Sequence, residues 1–282
     1  MKKTIKFRPL YLALFFGAVS LFFLSEAFGG EHLKYSFDFV GYGGTFKYNN
    51  LEILGISLYF WTIIIGFALC VFISVTKRKK NQMSLPVAIL FPVVVLVICL
   101  IGGKLLFIVE NFDSLAKNGL GIDGFSLFGS IFLSVFAAFI IGGFRKKRVA
   151  WLLDNTIFFE LILLASVRTG CFLNGCCTAN TYWVDDLPII IPIQLIEVFF
   201  DLVIFDVCLK LKNSKGPDGR MYPVFLISYS LIRFFIEFLR KTPKDFLYLS
   251  NGQIFAIVGI ILGFLLYRYF TNKLFKNGTI KN

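Results

Sequence analysis

Eight long apolar segments divide this chain and limit what it can fold into. Each runs for about 18 to 25 residues, the length that a helix needs to cross roughly 30 Å of hydrocarbon. Helices are expected, because backbone polar groups in lipid must be paired within the segment. The sequence therefore predicts an all-α, polytopic integral membrane helix bundle with seven core transmembrane helices plus one N-terminal helix or signal peptide. The segments lie near residues 9–28, 51–76, 84–109, 125–144, 149–170, 188–211, 221–240 and 251–270.

Composition excludes a soluble globular protein. Hydrophobic residues make up 57% of the 282 residues, charged residues make up 16%, and the mean hydropathy is +0.77. A water-soluble domain of this size has no interior that could bury so many apolar side chains. The formal net charge of +12 is explained by loops that lie against anionic lipid. Nucleic-acid binding is therefore not expected.

Basic residues concentrate in alternate connections between the apolar segments, and this pattern predicts the orientation. Cytoplasmic loops of membrane proteins carry an excess of lysine and arginine. We therefore expect the basic connections and the C-terminus to lie in the cytoplasm. Five stretches hold 20 of the 29 basic residues: 1–9, 77–82, 145–148, 210–220 and 268–282.

The first 50 residues have two interpretations. The basic start MKKTIKFR and an apolar run that ends in Ser-Glu-Ala at residues 25–27 fit a cleaved signal peptide. An uncleaved membrane anchor is the alternative. We divide the chain into residues 1–50, the anchor or signal peptide with an outer loop; residues 51–273, the membrane domain; and residues 274–282, a cytoplasmic tail.

Ionisable residues inside the apolar segments point to a functional site. Such residues are unfavourable in lipid and usually face a polar interior or pathway. Six polar residues form two stripes, each on one helix face. An ion-paired core would explain the stripes, and so would a site for a charged headgroup, because guanidinium groups bind phosphate oxygens in pairs. The stripes are Gln194, Glu197 and Asp201, and Tyr229, Arg233 and Glu237.

Three of the six cysteines cluster at the outer end of the fifth segment. Cys171, Cys176 and Cys177 follow Arg168 closely. A disulfide from Cys171 to one of the adjacent pair, plain packing, or a thiolate stabilised by the arginine would each account for them. The single histidine, His32, lies in the outer loop, and no CxxC pair occurs. We therefore expect no metal site and no cofactor.

Six short motifs occur in the order and spacing of one enzyme family. With them, the chain resembles the prolipoprotein diacylglyceryl transferases of bacterial inner membranes over about residues 51 to 273. The motifs are IGGKLLF around Lys104, Asp154 fourteen residues before Arg168, RTGCFLNG, PIQLIE, YSLIRFFIEFLR and SNGQI.

The resemblance implies a membrane enzyme that moves the diacylglyceryl group of phosphatidylglycerol to the lipobox cysteine of a prolipoprotein. An anionic phospholipid and the prolipoprotein signal peptide are then its partners, and the bacterial plasma membrane is its location. Arg168 and Arg233 are implied as a phosphate clamp, and Glu237 as the group that orients Arg233. The implied catalytic residues are Tyr229, Arg233 and Glu237. The implied substrate-binding residues are Arg168, Asn174, Gln194, Glu197, Arg240 and Lys104.

Four departures from the family pattern fall on the implied site. Phe128 stands where the family has a histidine proposed as a base, and Ile191 replaces a second histidine. Cys171 and Cys176 replace an asparagine and a glutamate of the signature. The obvious proton acceptor is therefore missing. A related enzyme with another lipid or thiol acceptor, with Cys171, Cys176 or Cys177 in a thiol role, and a non-catalytic phospholipid-binding protein remain as alternatives.

Overall fold

The computed structural model describes residues 52–53, 56–79, 81, 83–112, 124–174, 176–177, 179–184, 187–212, 218–240, 242 and 248–271. The first predicted segment, the outer loop with His32 and the tail at 274–282 lie outside the described residues. The described ranges contain seven helices: α1 (Leu58–Lys77), α2 (Leu85–Glu110), α3 (Leu127–Gly142), α4 (Lys146–Leu173), α5 (Ile193–Leu211), α6 (Met221–Ile236) and α7 (Asn251–Thr271). They also contain two short antiparallel hairpins, β1 (Glu52–Ile53) with β2 (Ile56–Ser57), and β3 (Thr181–Val184) with β4 (Leu187–Ile190).

The predicted polytopic membrane helix bundle is confirmed. By length and composition, α1, α2, α4 and α7 can each cross a membrane. Helices α3 and α6 are apolar but 16 residues long, about 24 Å at 1.5 Å per residue. Helix α5 has 19 residues and carries four charged side chains, two of them buried. It therefore lines the polar interior of the bundle.

Prolines move one helix start away from the predicted position. The sixth segment was expected to be helical from residue 188, but residues 187–190 form β4 and α5 begins at Ile193. A residue that precedes proline is held in extended backbone, so Pro188 and Pro192 delay the helix. The predicted helix at 51–76 also starts later, since residues 52–53 and 56–57 form the first hairpin, and α6 ends at Ile236 in a turn that includes Glu237.

Helix α4 forms the centre of the bundle, with α1, α3 and α5 packed around it. Its side chains Leu153, Ile157 and Leu161 are almost fully buried. Helices α2 and α3 approach closely at Gly102 and Gly129, where a Cβ on either glycine would overlap the carbonyl oxygen of the other. Because α4 is surrounded by other helices, it can carry polar side chains in the interior of the bundle without exposing them to lipid.

The basic connections meet at one end of the bundle. The indole Nε1 of Trp151 on α4 donates to the Asn81 carbonyl at 3.2 Å, and Lys212 at the end of α5 donates to the Asn81 side chain at 3.1 Å. Asp154 accepts the backbone N–H groups of Asp218 at 3.1 Å and Gly219 at 2.8 Å. Asp154 therefore fixes the segment before α6 and takes no part in the site at the opposite end.

Candidate active site

Three helix ends meet at the end of the bundle opposite the basic connections. The second-last turn of α4 supplies Arg168, the first turns of α5 supply Gln194 and Glu197, and the last turn of α6 supplies Arg233. The antiparallel order of the three helices brings these positions together. The polar stripes that the sequence predicts on α5 and α6 thus face the same interior.

Five charged side chains form one continuous ion-pair network, which we call the arginine–glutamate chain. The two carboxylate oxygens of Glu197 bind different arginines, Oε2 the Nε of Arg168 and Oε1 the Nη1 of Arg233. The Oε2 atom of Glu237 lies 3.3 Å from Arg233 Nη2 and 3.8 Å from Arg240 Nη1. Within these ion pairs three guanidinium groups share two carboxylates, and guanidinium groups in such an arrangement can also bind an anion such as phosphate.

Burial makes this network sensitive to any unpaired charge. Glu197, Glu237 and Arg168 are buried, and the side chains of Arg233 and Arg240 are 11% exposed. Charges taken out of water are stable only when each has a partner. Asp201, one turn further along α5, is also buried and is an electrostatic neighbour of Arg168 and Arg233.

Tyr229 contributes a free hydroxyl to the same space. It lies one turn before Arg233 on α6, is buried, and its hydroxyl has no hydrogen-bond partner among the described residues. Arg233 and Arg168 are its charged neighbours. Since buried polar groups are normally paired, this hydroxyl is available to a bound ligand.

The SNGQ motif positions Glu237 through the start of α7. Ser250 and Gln253 form a capping box, in which Gln253 Oε1 accepts the Ser250 N–H at 3.0 Å and Ser250 Oγ accepts the Gln253 N–H at 3.3 Å. A Cβ on Gly252 would lie 2.9 Å from the carboxyl carbon of Glu237. The glycine therefore lets this carboxylate sit against the positive end of α7.

The loop after α4 is fastened to the site by three contacts. Gln194 Nε2 donates to the Cys176 carbonyl at 2.7 Å. The N–H of Asn180 donates to the Leu239 carbonyl at 2.9 Å, and Ala179 forms an isolated β-bridge with Arg240. Gln194 thus holds the cysteine loop against the arginine–glutamate chain.

The three clustered thiols come together in this loop. The Sγ atoms of Cys171, Cys176 and Cys177 lie within 4.8 Å of one another. All six cysteines of the chain are among the described residues, and all are free thiols. Hydrogen bonds with Cys171 and Cys176 hold the pKa of Cys177 well below its ordinary value, and the positive charge of Arg240 adds to the shift. The loop therefore favours a thiolate at Cys177.

The remaining predicted site residues lie at the edge of this arrangement. Asn174 is exposed and caps the carboxyl end of α4. Its side chain forms a hydrogen bond with Cys176. The Lys104 Nζ lies 5.2 Å from the ring centroid of Phe107 on its own helix, outside the arginine–glutamate chain. The role of Lys104 in substrate binding stays a prediction, as does the division of the chain at residues 50 and 273.

Sequence reasoning missed Glu110 as a site residue. It is the last residue of α2, accepts a hydrogen bond from Ser126 Oγ at 2.9 Å, and has Glu237 and Arg233 as electrostatic neighbours. The predicted apolar segment ends at residue 109, which leaves Glu110 in a connection. An acidic residue directly after an apolar segment was the signal available.

A model of the family Prolipoprotein diacylglyceryl transferase matches residues 47–269. The chain belongs to this family. Three similar proteins carry the name phosphatidylglycerol–prolipoprotein diacylglyceryl transferase. One from Clostridium perfringens is 27% identical, and the match covers 77% of this chain and 92% of the relative. One from Clostridium tetani is 24% identical, covering 77% of this chain and 94% of the relative. One from Finegoldia magna is 28% identical, covering 80% of this chain and 96% of the relative. This chain is thus a multi-pass bacterial membrane protein of a transferase family.

Phe128, where the resemblance implies a histidine, lies directly beside Tyr229. Their ring centroids are 5.7 Å apart in an edge-to-face arrangement, and Phe132 stacks on the other side at 5.7 Å. Ile191, where the resemblance implies a second histidine, packs in an apolar cluster with Ala179 and Ile236. Both positions are part of the packing around the site and supply no proton acceptor.

Proposed function

We propose that this chain transfers the diacylglyceryl group of phosphatidylglycerol to the thiol of a lipobox cysteine in a prolipoprotein. The observation that carries the proposal is the arginine–glutamate chain, whose three guanidinium groups lie inside a membrane bundle and exceed the paired carboxylates. In this proposal the basic end and the C-terminus are cytoplasmic, and the arginine–glutamate chain faces the outer leaflet. The partners are an anionic phospholipid and a prolipoprotein signal peptide.

Arg168 and Arg233 stabilise the departing phosphate. Glu197 holds both guanidinium planes, and its ion pair with Arg168 is made through Nε. The proposal assigns the two Nη groups of Arg168 to phosphate oxygens. Donors fixed before the reaction stabilise charge that develops in the transition state without reorganisation. Glu197 is then a positioning residue for the clamp.

The other predicted residues have supporting roles. Tyr229 donates its unpaired hydroxyl to the headgroup, and Glu237 orients Arg233 and Arg240. Gln194 and Asn174 order the cysteine loop. Lys104 is an outer partner of the lipid headgroup.

A second candidate function is a transfer in which this chain's own thiol acts as acceptor or nucleophile. The free, exposed Cys177 beside Arg240 favours it. In that reaction the diacylglyceryl group would be found on the loop of this chain, which distinguishes it from transfer to a substrate.

Complementation of a bacterial strain depleted of its own diacylglyceryl transferase tests the proposal. We expect wild-type protein and the Arg148→Lys variant to restore growth and lipoprotein maturation, and Arg168→Lys to fail at equal membrane abundance. Arg148 is an exposed arginine at the opposite end of the same helix, which makes it the matched control. Failure of well-expressed wild-type protein in every acceptor strain tried would contradict the proposal.

A further inference from the structure

The three thiols of the cysteine loop have the arrangement of a metal-binding group. Their Sγ atoms lie within 4.8 Å of one another, whereas a zinc–sulfur distance of about 2.3 Å places sulfur ligands about 3.8 Å apart. Small rotations of the cysteine side chains would bring the sulfur atoms to the separation that zinc requires. Cys171 is buried on α4, Cys176 is half-buried and Cys177 is exposed, so the group opens outward on one side.

The backbone fixes this arrangement without a ligand. The Cys176 N–H donates to the Cys171 carbonyl at 3.0 Å, and Gln194 holds the Cys176 carbonyl at 2.7 Å. Cys177 has a φ of 59°, a left-handed conformation that a residue with a side chain adopts only when its surroundings enforce it. A site preorganised in this way loses little entropy when an ion binds.

Two arginines near the loop can balance the charge of an ion bound by three thiolates. A divalent ion with three thiolate ligands carries one net negative charge, and Arg168 and Arg240 are electrostatic neighbours of the cysteines. Zinc sites with three protein ligands leave a fourth position for water or substrate, whereas structural sites fill all four. The exposed side at Cys177 would be that fourth position, next to the arginine–glutamate chain.

We propose that Cys171, Cys176 and Cys177 bind one thiophilic divalent ion, zinc in the cell, and that the substrate cysteine thiol takes the fourth position as a thiolate. The identity of that thiol rests on the proposed function. The sequence predicts no metal site, because it has no CxxC pair and no nearby histidine. The loop nevertheless groups three thiols that this spacing rule does not detect.

The bound ion replaces the base that Phe128 and Ile191 do not supply. Coordination deprotonates the substrate thiol, and the proton passes to water. The sulfur lone pair then attacks the glyceryl carbon, the new C–S bond forms, and the C–O bond to phosphate breaks. Glycerol phosphate leaves with that electron pair while Arg168 and Arg233 bind its oxygens, and no group is oxidised or reduced.

Metal content of the full chain, purified in detergent under reducing conditions, tests the site. After incubation with zinc and dialysis we expect about one zinc per wild-type chain and at least a tenfold loss of bound zinc in Cys177→Ser and in Cys176→Ser. Cys208→Ala is the matched control. Cys208 lies about 21 Å along α5 from Gln194, so this substitution should leave the amount of bound zinc unchanged. Zinc well below one per wild-type chain, or equal zinc in all variants, would overturn the site.

Cobalt substitution tests the open fourth position separately from turnover. Adding a lipobox peptide to the cobalt-loaded chain should raise the thiolate-to-cobalt absorption by roughly one third, because a fourth thiolate joins three. The same peptide with serine in place of cysteine should leave it unchanged. No increase with the cysteine peptide would overturn substrate coordination. An increase without lipid transfer would leave the metal site in place and contradict the proposed function.

Discussion

At the scale of single residues, the site depends on one carboxylate shared between two buried arginines. Glu197 binds Arg168 and Arg233 through its two oxygens, and removing it would leave both cations without their main partner. Guanidinium is needed at both positions because its N–H donors lie in one plane, so one edge can bind the carboxylate while another edge binds a phosphate. Stability and activity are therefore linked at this residue.

Replacing Arg168 or Arg233 by lysine keeps the charge but removes the planar donor pair. We expect kcat/KM to fall at least about tenfold, or about 1.4 kcal/mol of transition-state stabilisation. Initial rates of lipid transfer on purified protein would measure this. Wild-type rates in both lysine variants would leave only a structural ion-pair role for the two arginines.

Glu197→Gln keeps the size of the side chain and removes its charge. Because Arg168 and Arg233 then lack their shared partner, we expect a loss of about 3–5 kcal/mol in the free energy of unfolding. Thermal unfolding in detergent is the measurement. The control is Asp206→Asn on the same helix, which breaks the exposed pair with Lys210 and should change stability by about 0.5 kcal/mol or less. Equal effects of the two substitutions would contradict the role of Glu197.

At the scale of helices and loops, α7 supports the site through its first turn. The capping box fixes where α7 begins, and Gly252 leaves room for the Glu237 carboxylate against that end. The sequence alone indicates the start of a helix at this point. Only the structure relates the glycine to a carboxylate on another helix.

Gly252→Ala should therefore lower activity without unfolding the protein. Alanine stabilises a helix by about 0.5–1 kcal/mol relative to glycine. Its Cβ would lie 2.9 Å from the carboxyl carbon of Glu237 and would displace that carboxylate. We expect turnover to fall at least about tenfold with an unchanged or higher melting temperature. Asn251→Ala, at the exposed neighbouring position, is the control. Full activity in Gly252→Ala would show that the position of Glu237 is not critical.

The helices and their polar faces could be predicted from the sequence, whereas the loops could not. Spacing alone placed Glu197 and Arg233 on interior faces, because helix geometry fixes which positions share a side. The grouping of Cys171 with Cys177 depends on the left-handed backbone of Cys177 and on the hydrogen bond from Gln194 to the Cys176 carbonyl. Likewise, the proximity of Glu110 to Arg233 depends on how the helices are arranged in the bundle, which no local pattern encodes.

At the scale of the whole molecule, charge divides the bundle into two ends. The basic connections meet around Asn81, and the arginine–glutamate chain lies at the opposite end. The bundle can therefore present its basic end to the cytoplasm and its reactive end to the outer leaflet. In that orientation a thiol arriving from outside and a lipid headgroup reach the same side.

Reporter fusions would test this orientation. We expect a reporter that is active only outside the cell to give signal near residues 40, 117, 180 and 245 and no signal near residues 79, 147, 215 and 278, because connections rich in lysine and arginine normally stay in the cytoplasm. An enzyme active only in the cytoplasm, fused at the same positions, is the control and should give the reverse pattern. Reversal at two adjacent positions would contradict the number of crossings.

Mass spectrometry of a reconstituted reaction tests the central claim most directly. The purified chain is placed in vesicles of phosphatidylglycerol with isotope-labelled acyl chains and given a peptide with one lipobox cysteine. We predict that the peptide gains one labelled diacylglyceryl group, with one glycerol phosphate released per peptide, and that a serine peptide gains none. An unmodified cysteine peptide, with folded protein and intact lipid, would contradict the claim, and so would label found only on Cys176 or Cys177 of the chain itself.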